Sequence, residues 1–95
     1  MATRDDLPNW VIEALRSLGG SGTIVQVAKY LWQNHDYELQ ASGDLFYTWQ
    51  YDMRWACTEL RINNTILPAK MSSKGVWQLN TTSAGTGKYT REKSK

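Results

Sequence analysis

The chain has 95 residues, 41% of them hydrophobic, with five tryptophans, one cysteine and a formal net charge of +2. That length supports one small domain with a single core and excludes a large cleft between subdomains, while the apolar and aromatic content excludes disorder of the whole chain. The charge is too mild to prove an anionic partner, yet it is uneven: residues 1–44 carry three Lys or Arg against six Asp or Glu, residues 45–80 four against two, and residues 81–95 four against one.

Taken in chain order, LPNWVIEALRSLGG places a proline at the start of a helix, where a missing N–H costs nothing, and two glycines at its end, suited to a left-handed cap. Trp10, Val11, Ala14, Leu15 and Leu18 recur at steps of three and four and form one apolar stripe. SGTIVQVAKYLWQNHD enters through a short extended stretch near Thr23 and continues as a second amphipathic helix on Ile24, Val27, Ala28 and Leu31. YELQASG breaks that pattern and is expected to be a connecting loop. His35 is placed in the last turn of the second helix, as a structural cap on its carbonyls rather than a catalytic group.

The longest periodic segment is DLFYTWQYDMRWACTELRINN. Leu45, Trp49, Met53, Ala56 and Leu60 make a core stripe with Cys57 beside it, and Asn63 and Asn64 end the helix because Asn tolerates the left-handed conformation. A second stripe, Tyr47, Gln50, Tyr51, Arg54, Thr58 and Arg61, is polar, aromatic and positive. TILPAKM and VWQLN then read as two short strands around the SSKG turn, with Trp77 and Leu79 on one face anchoring the hairpin to the core. Three helices followed by a two-stranded hairpin outline a winged helix-turn-helix over residues 1–80. TTSAGTGKYTREKSK has nothing to bury and reads as a flexible basic tail over residues 81–95.

These residues also carry a resemblance. SGDLFYTWQYDMRWACTEL, followed at hairpin distance by SSKGVWQLNTTSAG and preceded by LRSLGGSGTIVQVAKYL, resembles the N-terminal winged-helix domain of Mrr-type restriction endonucleases over roughly residues 8 to 85. The resemblance implies double-stranded DNA as the partner, with base-modified duplexes among the candidates, and a separate nuclease domain that does the cutting. Two departures stand out. RINNTIL replaces a more usual glycine-containing helix end, and no nuclease segment follows.

An α-helix fits the major groove, where Arg pairs bidentately with guanine and Gln with adenine. Gln50, Tyr51 and Arg54, nearest the helix start, are the expected base readers. Tyr47, Thr58 and Arg61 flank them, and Lys70, Ser72, Ser73 and Lys74 form a wing suited to phosphate contact. The alternative for the stripe is a solvated face on which Asp52 and Glu59 pair with neighbouring arginines. No catalytic constellation is expected. Cys57 lacks a paired histidine or metal-ligand spacing, the Asp5–Asp6 and Asp36–Glu38 pairs read as solvated turns, and Gly19, Gly20 and Gly22 lack the lysine of a phosphate loop. No metal or cofactor is implied.

Met53 and the tryptophans read as core, except Trp32, whose place off the second helix's stripe marks a contact surface. A protein-interaction adaptor using Trp32 and the aromatic helix face is therefore the rival class, and an RNA-binding module a third. The lone cysteine, the absence of an apolar run in MATRDDLPNW and the absence of any stretch near the roughly 18 apolar residues of a membrane span place the chain in the cytoplasm. The N-x-T triplets at Asn63 and Asn80 then carry no meaning as glycan acceptors.

Overall fold

The computed structural model of the chain describes residues 2–80, and the basic tail expected over 81–95 lies outside the described residues. Three helices, α1 (Leu7–Ser17), α2 (Ile24–Gln40) and α3 (Leu45–Ile62), surround one core, and a two-stranded antiparallel sheet joins β1 (Ser21–Thr23) to β2 (Val76–Gln78). No helix among the described residues is long and apolar enough to cross a membrane.

Helix α1 begins behind a short turn in which Thr3 Oγ1 accepts from Asp5 N and Asp6 Oδ2 accepts from Thr3 N, and it carries Pro8 in its first turn. It ends as its glycines require. Gly19 and Gly20 take φ of 90° and 109°, and their N–H groups donate to Arg16 O and Leu15 O, the paired closure of a Schellman end. The chain then runs straight into β1, whose last residue, Thr23, also caps α2. Thr23 Oγ1 accepts from Gln26 N at 3.1 Å while Gln26 Oε1 accepts from Thr23 N at 2.8 Å.

Helix α2 is longer than its periodicity suggests, because residues 37–40, expected in a loop, are helical. The reason is a kink at His35, with φ −132° and ψ 19°, beside Asn34, whose side-chain amide donates to Tyr30 O at 2.9 Å. An unbroken helix would carry Leu39 about 120° around from Val27. With the kink, Leu39 returns to the core and is fully buried. His35 is thus no terminal cap: its ring stacks on Trp10 with centroids 3.9 Å apart, and its two nitrogens lie 2.9 Å from Glu38 Oε1 and 3.2 Å from Glu13 Oε2. The loop proper is residues 41–44, opened by Ser42, whose hydroxyl donates to Leu39 O.

In α3 the stripe of Leu45, Trp49, Met53, Ala56 and Leu60 is buried, with Cys57 among them. Asn64, at φ 64°, takes the left-handed position expected of it, and Thr65 N donates to Leu60 O at 2.8 Å. The sheet differs from expectation. The partner of β2 is β1, in the register Ser21 with Gln78, Gly22 with Trp77 and Thr23 with Val76, and the 65–71 segment contributes only the bridge between Ile66 and Leu79 on the other edge. Leu67 N donates to Gln78 O at 2.9 Å, and beyond it Ala69–Met71 coil into a 3₁₀ turn instead of continuing the ladder.

The alternation along β2 holds as read: Trp77 and Leu79 are buried and Gln78 is exposed. Trp77 is 7% exposed, so Trp77→Ala removes a core tryptophan at an expected cost of about 3–5 kcal/mol, close to the whole stability of a small domain. Denaturant unfolding followed by circular dichroism checks this. A midpoint unchanged from wild type would contradict the anchoring of the strand by this side chain.

Candidate nucleic-acid interface

The buried stripe fixes the rotation of α3, and its opposite face stands in solvent. Spacing by three and four divides that face into two adjoining ranks. Gln50, Arg54 and Arg61 form a polar, cationic rank. Tyr47, Tyr51, Trp55 and Ile62 form an aromatic and apolar one, exposed by 82%, 61%, 51% and 77%. Tyr51 and Trp55 meet edge to face with centroids 6.4 Å apart, and Phe46 and Tyr47 do likewise at 5.0 Å.

Individual side chains depart from the roles their residue types suggest. Thr58 spends its hydroxyl on Arg54 O, one turn back, at 3.3 Å. Arg61 is half-buried and donates from Nε to Leu67 O at 3.2 Å, which ties the post-helix segment to α3. Asp52 does not pair with an arginine of its own helix. It lies 3.9 Å from Arg4 Nη2 and accepts from Thr48 Oγ1 at 2.8 Å, so Arg54 is left without an ion-pair partner among the described residues.

The wing residues come together with the end of α3. Arg61, Lys70, Ser72, Ser73 and Lys74 line one shallow crevice of about 470 Å³, backed by Val76 and Trp77. Three cations enter its lining and no carboxylate does. The turn at its lip closes through Val76 N donating to Ser73 O at 3.0 Å, with Gly75 at φ 76° in the position that calls for glycine. Ser72 braces the same turn by donating from Oγ to Val76 O at 3.1 Å, so its hydroxyl is structural, whereas Ser73, Lys70 and Lys74 remain exposed. The arrangement can accept an anionic backbone at the crevice and present amide and guanidinium groups along the helix.

Sequence reasoning assigned Trp55 to the core by residue type alone. It stands instead in the middle of the exposed face. The signal was present, since Trp55 lies four residues after Tyr51 and seven before Ile62. Also missed was a trough between α2 and α3, lined in part by Lys29, Trp32, Gln33, Phe46 and Gln50. No cluster of three or more His, Cys, Asp or Glu with metal-site geometry occurs among the described residues. No family model matches the chain, and no curated protein or solved structure matches it either.

Cys57, behind the interface, is 2% exposed, and burial pushes its thiol from 9.0 to about 11, against a smaller opposing pull from Arg61. At pH 8 the folded protein therefore carries about a hundredth of the thiolate of an unperturbed cysteine. Reaction with a thiol-specific reagent should be at least about a hundredfold slower in buffer than in denaturant, as read by absorbance. Comparable rates would place Cys57 at the surface.

Proposed function

We propose that the chain is a winged helix-turn-helix domain that binds double-stranded DNA and performs no chemistry on it. Helices α2 and α3 form the helix-turn-helix, α3 lies in the major groove, and the loop ending at Gly75 is the wing on the phosphate backbone. The observation that carries this reading is the position of Arg61. It belongs both to the cationic rank of α3 and to the crevice of Lys70, Ser73 and Lys74, so the helix face and the wing have a cation in common. A cation at that junction suits a duplex, whose groove and flanking phosphates are met together.

The family resemblance extends the proposal to the specificity module of a restriction-type system, in which base-modified duplexes are candidate targets and a separate nuclease domain cuts. A protein-interaction adaptor is the second reading. The exposed Tyr47, Tyr51, Trp55 and Ile62 favour it, since aromatic side chains are enriched at protein interfaces. Anisotropy titration of modified and unmodified duplexes at two salt concentrations separates the two. Saturable binding that weakens with salt supports the DNA reading, and no binding at low salt moves the assignment to the adaptor.

Two variants test the assigned contacts. Lys74→Ala should weaken binding to every duplex alike and reduce the slope of log affinity against log salt by about 0.9, the value of one phosphate contact. A changed order of preference among duplexes would instead make Lys74 a base reader. Arg54→Ala should relax discrimination at one base position by about 1–3 kcal/mol with helicity unchanged, measured by competition among single-base variants of a selected duplex. Discrimination retained at every position would remove α3 from the groove.

A further inference from the structure

The trough between α2 and α3 shares only Gln50 with the α3 rank assigned to the duplex, and the rest of its lining presents an open aromatic surface. Its volume is about 550 Å³. The indoles of Trp32 and Trp49 are inclined by only 11° with centroids 6.2 Å apart, and Phe46 lies 6.4 Å from Trp32 at 45°. Trp49 is buried as the floor, while Trp32 keeps 39% of its surface in solvent as one wall. Aromatic surface left open in this way is favourable for stacking by a second ring.

The polar groups of the lining specify what kind of ring. Lys29, Gln33 and Gln50 are exposed, and none of their side chains has a hydrogen-bond or ion-pair partner among the described residues. No carboxylate enters the lining. Stacking surface, two amides that both donate and accept, and one ammonium complement a nucleotide: a heteroaromatic ring with a polar edge, joined to a phosphate.

The source of that nucleotide follows from two further features. The trough is open along its length, with Val25 exposed at its edge, whereas a free small molecule needs most of its surface covered to bind well. Gln50 lies both in the trough and on the face of α3 assigned to DNA. A base belonging to a strand already held there arrives at high effective concentration, and stacking is then enough to keep it.

We propose that this trough receives an unpaired nucleobase of the DNA bound along α3, stacked on Trp32, with Gln33 and Gln50 hydrogen-bonding its edge and Lys29 on the adjoining phosphate. The inference rests on the DNA reading above and adds to it a preference for DNA with an extrahelical base. A fully paired duplex has no base to place there.

The test uses anisotropy titrations of the full chain with short duplexes of one sequence: fully paired, carrying a single unpaired thymine at successive positions, and carrying an abasic residue at the same positions. The best thymine-bulged duplex should bind about tenfold tighter than the paired one, and its abasic counterpart should lose that gain. Trp32→Ala should lower the bulged affinity to the paired value and leave the paired affinity unchanged. Should circular dichroism show that Trp32→Ala loses the fold, the exposed double variant Lys29→Ala with Gln33→Ala should narrow the same ratio. Equal binding of paired and bulged duplexes would overturn the trough and leave the DNA reading standing. An abasic bulge as tight as the thymine bulge would assign the gain to duplex flexibility and also overturn the trough. Failure of every duplex to bind at low salt would overturn the DNA reading itself.

Discussion

The pairing of β1 with β2 is the constraint that ties the two ends of the fold together. Three residues on each strand align Gly22 with Trp77, and Leu79 N adds a bond to Gly20 O at 2.8 Å. The same short strand is preceded by the glycine end of α1 and followed without a gap by α2, since Thr23 is both strand residue and cap. The ladder therefore holds the segment after α3 beside the junction of α1 and α2. A Cβ at Gly22 would meet Leu18 Cδ1 at 2.7 Å, so a larger residue at this crossing requires the Leu18 side chain to move.

Against that frame, α3 is two-sided in an unusual proportion. Its buried stripe is entirely apolar, but its solvent face is also rich in rings, and the cations are confined to one flank. A merely solvated helix would distribute charge around the exposed arc and leave few large aromatics there. Tyr47, Tyr51 and Trp55 nonetheless stand in water on this face, with Gln50, Arg54 and Arg61 on the flank beside them.

What was legible in the sequence was what neighbouring residues decide among themselves. The α3 core stripe, the glycine end of α1, the left-handed Asn64 and the buried alternation of Trp77 and Leu79 are all local patterns, and each appears in the fold as read. Asn64, at φ 64° in RINNTIL, adopts the left-handed conformation that a glycine more often takes at a helix end. The partner of β2 was not legible, since strand register across more than fifty residues leaves no local trace and SGT is too short to show a period. Helix α2 was cut short because periodicity assumes a straight axis, and the kink at His35 breaks that assumption. Within the candidate site, exposure could be read for Gln50 and Arg54. The competing bonds that occupy Thr58, Arg61 and Ser72 could not, because two of them end on backbone carbonyls brought near by the fold and the third on the helix itself.

The ladder has a further consequence for the order in which the molecule assembles. Each helix is closed by hydrogen bonds within four residues, and α1 packs on α3 across a shorter loop than the one of more than fifty residues that β1 and β2 must close. The wing is accordingly the last part to lock and the first to open, held by three strand pairs, one bridge and the burial of Trp77 and Leu79. Amide exchange in the native state should thus proceed through partial opening at the β1–β2 end while α3 stays protected. A backbone phosphate seated at the crevice would slow that opening, so that ligand occupancy registers as a change in local stability of the sheet without movement of the helices.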